Sequence, residues 1–197
     1  MLQNKPEKRI LTGKTEAVAI GTSAGGIEAL TFLLPHIPAG CMKVFFVVQH
    51  ISPESDSSFV RIMNDKCRIK VREACNTEDI SPGTIYFAPP DYHLLVEKDF
   101  TLSISMDEKI NYSRPSIDVL FESAAEAFMN NLTGILLTGV NRDGSRGMKR
   151  IKELGGRTIV QSPDDAAFSE MPSSAMRLIT PDNIMTLNEI ADFISFK

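Results

Sequence analysis

The sequence predicts a doubly wound α/β fold, in which helices sandwich a mostly parallel sheet and an antiparallel hairpin is added. Two observations carry this prediction. Short, continuous apolar runs are typical of strands buried on both faces, and here they alternate with segments whose apolar residues recur at helical spacing. The middle of the chain differs, because its short runs show partial period-two alternation, which favours antiparallel strands.

The first third of the chain contains two predicted buried strands, each followed by a helix. Residues 17–21 (AVAIG) form the first strand, and the apolar positions of the next helix recur until Pro35 and Pro38 stop it. Residues 44–48 (VFFVV) form the second strand, and a short helix is predicted around residues 59–63. Each of these strands ends in polar residues.

The middle and last thirds complete the pattern. Four runs are interpreted as an antiparallel region attached to the parallel sheet: residues 70–74, 84–88, 93–97 and 101–106. A helix is predicted to begin at Pro115, with Arg114 or a neighbour as its cap. The later elements are predicted as a strand, a helix, a strand and a last helix: residues 134–137, 145–154, 157–161 and 189–196.

Length and composition suit a single domain. With 197 residues, the chain is predicted to form one domain at residues 17–197, behind a flexible arm at residues 1–16. No apolar run approaches the roughly 18 residues that a membrane span needs. The arm also lacks the apolar segment of a signal peptide. These features predict a cytoplasmic protein that is not embedded in a membrane.

Two classes of ligand receive little support from the composition. The net charge is −4 and no long basic run is present, which argues against nucleic-acid binding. The three cysteines, Cys41, Cys67 and Cys75, lack metal-ligand spacing. They are predicted to be reduced thiols that pack as small hydrophobes. No metal site is predicted.

Three predicted strand ends carry polar side chains of complementary chemistry. Ser23, His50 and Asp143 each follow an apolar strand, and open parallel sheets bind their ligands beyond the carboxyl ends of the strands. These residue types can supply a nucleophile, a general base and a carboxylate that orients the base. The convergence of all three predicts a serine hydrolase site at this edge of the sheet.

The segment around Ser23 fits G-x-S-x-G, the sharp strand-to-helix turn that exposes a nucleophilic serine. The first amides of the following helix could stabilise an oxyanion. Two alternatives stay open at this point: Ser23 could be a helix N-cap, or the glycine-rich turn could bind the phosphate of a dinucleotide. Two features argue against dinucleotide binding. The glycine spacing is G-x-x-x-G-G and not G-x-G-x-x-G, and the second strand does not end in the acid that would bind the ribose, since the nearest following acid is Glu54.

His50 and Asp143 also have explanations that do not involve catalysis. His50 lies next to the first strand if the winding is right-handed, whereas His36 is predicted to lie at the surface and His93 to be a lining or a structural residue. Asp143 precedes a glycine, so it could cap a turn or a helix, and Asn141 beside it could do the same. The chain order Ser–His–Asp differs from that of ordinary α/β-hydrolases.

Taken together, these segments resemble the catalytic domain of CheB, the chemotaxis protein-glutamate methylesterase. The resemblance extends over nearly the whole predicted domain, and the set of stretches is highly specific although each is short. In chain order they are residues 20–26 (IGTSAGG), 48–51 (VQHI), 82–89 (PGTIYFAP), 93–94 (HL), 114–121 (RPSIDVLF), 137–139 (LTG), 143–144 (DG), 155–158 (GGRT) and 171–172 (MP).

The resemblance implies a definite activity. Members of this family hydrolyse γ-methyl esters of glutamate on the cytoplasmic helices of chemoreceptors and release methanol, and some also deamidate glutamine. By motif, Ser23 would be the nucleophile, His50 the general base and acid, and Asp143 the orienting carboxylate, without a metal or an organic cofactor. The implied substrate and oxyanion region consists of Thr22, Ala24, Gly25, Arg114 and Val140.

The sequence also departs from the family pattern. Residues 1–16 are too short for the receiver domain that usually precedes the catalytic domain. Three alternatives therefore stay open: constitutive activity, control by a separate regulatory protein, or a module of a system whose other parts are separate chains. Ala24 stands where the family usually has threonine, and residues 139–141 (GVN) replace Gly-Met-Gly. A second class of function stays open: a non-catalytic module that binds a receptor or another partner in the same cleft.

Overall fold

The computed structural model describes residues 15–52, 54 and 58–195. Within them, a seven-stranded parallel sheet lies between two layers of helices, and a small three-stranded antiparallel sheet accompanies it. The predicted fold class is therefore confirmed. The predicted arm at residues 1–16 lies almost wholly outside the described residues, and the domain span of 17–197 stays a prediction.

The strands and helices alternate through the chain. The strands are β1 (Ala17–Thr22), β2 (Val44–Gln49), β3 (Lys70–Glu73), β4 (Glu78–Asp79), β5 (Thr84–Phe87), β6 (His93–Val96), β7 (Thr101–Ser105), β8 (Leu132–Leu136), β9 (Arg157–Gln161) and β10 (Asn183–Met185). The helices are α1 (Gly26–Leu33), α2 (Ser58–Lys66), α3 (Ile117–Phe128), α4 (Ser145–Glu153), α5 (Glu170–Leu178) and α6 (Leu187–Ser195).

The order of the strands creates a crevice near the centre of the large sheet. The strands lie in the order β10-β9-β8-β1-β2-β5-β3, so the chain winds away from β1 on one side and later returns to β8 on the other. Such a reversal is the topological switch point at which doubly wound sheets bind ligands. The register keeps the carboxyl ends of β1, β2 and β8 level, because Thr22 pairs with Gln49 and Gly21 with Leu136.

Two apolar layers cover the two faces of the sheet. Successive side chains of a strand point to opposite faces. In β1, Ala17 and Ala19 therefore join the layer that contains residues of α3, α4 and α5, while Val18 and Ile20 join the layer that contains residues of α1 and α6. Strands β1 and β2 are buried at every position. Burial on both faces explains why their sequences are continuous apolar runs.

The antiparallel region is smaller than the sequence analysis predicted. Only β6 and β7 form a hairpin, and the short β4 pairs with the other edge of β7. The predictions for residues 70–74 and 84–88 were wrong, because β3 and β5 pair in parallel and β5 also pairs in parallel with β2. Strand β3 is the edge of the sheet, with Lys70 exposed and Val71 buried. One-sided burial at a parallel edge gives the same alternation as an antiparallel strand.

Helix α3 begins later than predicted. Its N-cap is Ser116, whose side chain accepts a hydrogen bond from the N–H of Val119, and not Arg114. Pro115 precedes the cap and follows a cis peptide bond. Two further elements, α5 and β10, were not predicted from the sequence. Strand β10 has three residues and is only partly buried, so its pattern is too short to detect.

A helix that crosses a bilayer needs about 20 consecutive, mostly apolar residues. None of the helices in the described part of the chain combines the length and apolar character that a bilayer crossing requires.

Candidate active site

Three neighbouring strand ends carry the predicted site residues. Ser23 directly follows β1, His50 directly follows β2, and Asp143 lies between β8 and α4. Backbone hydrogen bonds continue the sheet beyond the strands: the His50 N–H donates to the Thr22 carbonyl at 3.0 Å and the Ser23 N–H to the Thr138 carbonyl at 3.0 Å. These bonds hold the three segments at one edge of the sheet.

His50 and Asp143 form a direct hydrogen-bonded pair. The Nε2–H of His50 donates to Asp143 Oδ2 at 2.8 Å, and the two side chains are 11% and 0% exposed. A buried carboxylate in this position fixes the orientation of the imidazole and stabilises it when it takes up a second proton. The pair therefore has the geometry of a general base and its orienting carboxylate.

The carboxylate of Asp143 lies at the N-terminus of helix α3. Its oxygens accept the N–H of Ile117 at 2.7 Å, the N–H of Asp118 at 3.2 Å and the hydroxyl of Ser116 at 2.9 Å. A helix N-terminus favours negative charge. Burial acts to raise the pKa of Asp143, but the hydrogen bond and charge of His50, together with Ile117 and Ser116, outweigh burial and hold this pKa below its ordinary value. Asp143 is therefore ionised at neutral pH.

Asp143 does cap a helix, but not the helix that follows it. The N-cap of α4 is Gly144, which has no side chain to bond the first amides. Asp143 instead bonds the first amides of α3, which begins at Ile117. The capping interpretation and the orienting interpretation are thus compatible, because one oxygen of the carboxylate contacts both α3 and His50.

The second ring nitrogen of His50 faces two side chains other than Ser23. The Nδ1 atom lies 3.3 Å from Asn141 Nδ2 and 3.5 Å from Ser113 Oγ. Because Nε2 donates to Asp143, Nδ1 is the nitrogen whose lone pair can accept a proton. Among the hydrogen bonds of the described residues, none joins Ser23 Oγ to His50. Catalytic hydrogen bonds of this kind often form only when substrate is in place.

A tight turn presents Ser23 at the end of β1. Gly25 has a left-handed backbone, with φ 76°, and is itself the N-cap of α1, so Ser23 is not the helix cap that the alternative interpretation required. Thr138 supports this turn from the neighbouring strand. Its carbonyl accepts the hydroxyl of Thr22 at 3.0 Å, and its own hydroxyl donates to the Ala24 carbonyl at 2.9 Å. The turn is therefore held on both sides of the serine.

One amide group links the serine turn to the histidine. Gln49 Nε2 donates to the carbonyl of Ser23 at 2.9 Å and to the carbonyl of His50 at 2.8 Å. Gln49 is the last residue of β2 and is 7% exposed. A Cβ at position 26 would lie 2.0 Å from Gln49 Oε1, so Gly26 leaves the space that this side chain fills. Gln49 thus links the backbone of two predicted site residues, a role that its place in the motif did not indicate.

Free backbone amides lie beside the serine. Within the described part of the chain, the N–H groups of Ala24 and Gly25 donate to no protein acceptor. The amide after a nucleophilic serine is a common oxyanion donor in acyl-transfer sites. The side chains at these two positions offer no donor, so their predicted oxyanion role depends on the backbone.

Thr22 and Val140, two other predicted lining residues, differ in their exposure. Thr22 is fully buried and its hydroxyl is bonded to Thr138, so its side chain lies beneath the turn. Val140 is 55% exposed and precedes Asn141, which contacts the imidazole. Of the two, only Val140 has a side chain that a bound molecule could contact.

Arg114 is engaged in contacts within the protein. Its Nη2 forms an ion pair with Asp91 Oδ1 at 2.9 Å, and its Nη1 donates to the carbonyls of Met106 at 2.8 Å and Asp107 at 3.0 Å. These bonds fix the loop that carries Ser113 towards His50. Arg114 therefore supports one wall of the cleft through the backbone.

A second buried carboxylate, Asp118, lies next to Asp143. Asn111 Nδ2 bridges the two, donating to Asp118 Oδ2 at 3.1 Å and to Asp143 Oδ1 at 3.3 Å. Burial raises the pKa of Asp118 to about 6, and the charge of Asp143 adds to this effect, while the hydrogen bond from the Gly147 N–H opposes it. Neither Asn111 nor Asp118 was predicted as a site residue from the sequence. Asp118 lies in the first turn of a predicted helix, and this position alone does not indicate which side chains surround it in the fold.

In the described part of the chain, the other two histidines form no hydrogen bond with Ser23, His50 or Asp143. His93 is buried, its Nδ1 accepts the N–H of Ser116 at 3.1 Å, and its Nε2 donates to the carbonyl of Glu108 at 3.1 Å. The sequence left two roles open for His93, a lining residue or a structural residue, and these contacts support the structural role. His36 is exposed, with its Nδ1 2.8 Å from the Phe32 carbonyl. The described residues contain no group of three or more His, Cys, Asp or Glu side chains that could hold a metal ion.

The fold and these side chains together define a class of protein. A doubly wound sheet that presents a serine on a sharp turn, a histidine and a buried carboxylate at its switch point is an α/β protein with the residue types of a serine hydrolase. The family model described as CheB methylesterase matches residues 18–194. The chain belongs to the CheB methylesterase family.

Individual relatives agree with this assignment. A Leptospira interrogans protein, provisionally named a protein-glutamate methylesterase/protein-glutamine glutaminase, is 48% identical over 177 residues, which cover 90% of this chain and 92% of that protein. Protein-glutamate methylesterase/protein-glutamine glutaminase 1 of Chromobacterium violaceum is 36% identical over 181 residues, which cover 90% of this chain but 50% of that protein. The crystal structure of the Thermotoga maritima CheB methylesterase catalytic domain has a TM-score of 0.87 and 28% identity, and the match covers 92% of this chain and 97% of that one.

Proposed function

We propose that this chain is a serine hydrolase that removes methyl esters from glutamate side chains of chemoreceptors. The observation that carries the proposal is the buried His50–Asp143 pair beside Ser23 at the switch point of a CheB-family sheet. The names of the relatives favour this enzyme over a non-catalytic binding module. In this proposal Ser23 is the nucleophile, His50 the general base and acid, and Asp143 the orienting carboxylate.

The first half of the reaction forms an acyl-enzyme. Ser23 Oγ attacks the carbonyl carbon of the ester while its proton passes to His50 Nδ1, the nitrogen that Asp143 leaves free. Asp143 stabilises the imidazolium, and the amides of Ala24 and Gly25 donate to the oxyanion. The bond from carbon to the methoxy oxygen then breaks, the methoxy group takes the proton from His50, and methanol leaves.

The second half restores the enzyme. Water attacks the acyl carbon and gives a proton to His50, and the bond to Ser23 Oγ breaks as Ser23 recovers its proton. The product is the free glutamate carboxylate. The same steps on a glutamine side chain would release ammonia in place of methanol, which corresponds to the glutaminase activity in the names of the relatives.

The remaining parts of the proposal concern the surroundings of the enzyme. We expect the substrate to be a methylated helix of a chemoreceptor cytoplasmic domain, and we expect the chain to work in the cytoplasm without a metal or organic cofactor. A separate regulatory protein is a further expected partner. None of the chemistry derived above requires a group from outside the chain apart from substrate and water.

Product analysis on two matched substrates tests the proposal. The purified chain is incubated with a chemoreceptor cytoplasmic fragment that carries glutamate methyl esters, and with the same fragment carrying glutamine at those positions. Methanol release from the first is expected, and ammonia release from the second would extend the activity to deamidation. If neither product forms, while a CheB-family methylesterase assayed in parallel releases methanol, the proposal is wrong.

A further inference from the structure

The lone pair of His50 that must receive the proton of Ser23 is already occupied. Asp143 takes the Nε2–H at 2.8 Å, which leaves Nδ1 as the acceptor in the neutral ring. Asn141 Nδ2 lies 3.3 Å from this Nδ1, whereas no hydrogen bond joins Ser23 Oγ to it among the described residues. The amide nitrogen of Asn141 can only donate, so it bonds an unprotonated Nδ1.

The orientation of the Asn141 amide is fixed by its other end. Asn141 Oδ1 accepts the backbone N–H of Asp143 at 3.0 Å, a turn of the kind that asparagine forms with the residue two positions on. A backbone N–H can only be met by the oxygen, so the nitrogen must point to His50. Asn141 therefore contacts both members of the His50–Asp143 pair, one through the ring and one through the backbone.

We propose that Asn141 is a positioning residue that holds His50 in its Nε2–H tautomer and occupies Nδ1 until Ser23 takes its place. This inference rests on the proposed function, in which Nδ1 is the base. Its consequence is that each reaction cycle begins by replacing the Asn141 contact with that of Ser23. The contact thus maintains the correct tautomer but slows the first proton transfer.

Two substitutions of Asn141 distinguish a positioning role from a structural one. Both keep the turn, and each places a different group next to His50 Nδ1. Asn141→Ser preserves a weaker version of the same turn, and its shorter side chain does not reach the ring. Asn141→Asp preserves the turn with a carboxylate, which places an acceptor next to Nδ1 and retains a proton there. A residue that only supports the turn would give the same direction of change in both variants.

The experiment measures the rate at which a fluorophosphonate labels Ser23. In that reaction Ser23 Oγ bonds to phosphorus, fluoride leaves, and the serine proton passes to His50. Asn141→Ser is expected to raise the labelling rate about two- to tenfold, the rate equivalent of one net hydrogen bond, and Asn141→Asp to lower it by about tenfold or more. Asn76→Ala is the matched control, since Asn76 Oδ1 also accepts a backbone N–H, that of Ile104, in the antiparallel sheet.

Nitrogen NMR of the His50 ring provides a second measurement that does not depend on turnover. The parent chain is expected to carry its proton on Nε2 with Nδ1 bare, and Asn141→Asp to gain a proton on Nδ1. Equal directions of change in the two labelling rates, or a parent ring with its proton on Nδ1, would overturn the inference. If Ser23 in the parent chain is not labelled at all, the proposed function fails, and the ring measurement still decides whether Asn141 sets the tautomer.

Discussion

His50 and Asp143 are joined at 2.8 Å through an oxygen that also accepts the N–H of Ile117, so the first turn of α3 fixes the carboxylate that fixes the imidazole. His50 follows β2, Asp143 lies in the loop between β8 and α4, and Ile117 is the first residue of α3. This arrangement makes the orientation of His50 depend on the packing of α3 against the sheet as well as on the loop that contains Asp143. Substitutions at Asp143 should therefore affect the tautomer of His50 strongly.

Asp143→Asn should lower kcat for ester hydrolysis by about 10⁴-fold, because the new amide nitrogen would donate to Nε2 and leave the proton on Nδ1. Steady-state methanol release measures the effect. Asp99→Asn, in an exposed loop, is the control for the same chemical change. A loss of less than about tenfold would mean that another group orients the base.

Gln49→Glu should lower both kcat and the stability of the fold. A carboxylate oxygen would face the carbonyls of Ser23 and His50, where Gln49 now donates two hydrogen bonds. We expect a loss of about 1–3 kcal/mol in the free energy of unfolding, measured with urea, and a lower kcat. Gln49→Met, which removes the two hydrogen bonds without adding repulsion, should have an intermediate effect. A glutamate variant no worse than the methionine variant would contradict the linking role of Gln49.

The two buried carboxylates should affect stability in opposite directions as pH changes. The pKa of Asp118 is raised to about 6, so the folded chain holds this proton more tightly than the unfolded chain, and Asp118 destabilises the fold as pH rises from about 4 to about 6. The pKa of Asp143 is lowered, so its contribution is present at neutral pH and is lost as pH falls below the ordinary value for aspartate.

Asp118→Asn removes the first of these contributions. The free energy of unfolding of this variant, relative to that of the parent chain, should therefore increase between pH 4 and pH 7. Urea denaturation of both proteins at several pH values measures the difference. A difference that stays constant or decreases over this interval would show that Asp118 does not titrate as its burial next to Asp143 requires.

Arg114→Lys should lower Tm and kcat together. A lysine cannot reproduce the planar fork through which Arg114 bonds Asp91 and the carbonyls of Met106 and Asp107. The loop that places Ser113 near His50 would lose its support. If Arg114 instead bound the substrate directly, KM would rise while Tm stayed the same, and thermal unfolding combined with steady-state kinetics separates these cases.

The sequence predicted the strand-end residues because parallel strands must end at a common edge. Once AVAIG, VFFVV and GILL were identified as buried strands, Ser23, His50 and a residue near Asp143 had to lie close together. Neither a sequence period nor a motif could indicate that Asn141 bonds the imidazole rather than replacing Asp143. That distinction depends on the direction of one side chain in a loop.

The neighbours of the site from the middle of the chain could not be predicted in the same way. Asn111 and Ser113 lie in an irregular loop, and Asn111 has a left-handed backbone with φ 49°. Their contacts with Asp143 and His50 join residues 32 and 63 positions apart in the chain. The loop direction is set by Arg114, whose partners the sequence analysis did not identify. Such contacts depend on tertiary packing rather than on local pattern.

Methanol release by the parent chain and by Ser23→Ala, on the same methylated chemoreceptor fragment, tests the central claim most directly. The substitution removes one oxygen from a turn whose backbone is held by the Thr138 carbonyl and by the side-chain amide of Gln49, so the fold should be retained. We predict release by the parent chain and a rate at least about 10⁴-fold lower for the variant. Release by the variant at a rate near that of the parent would contradict the assignment of Ser23 as the nucleophile.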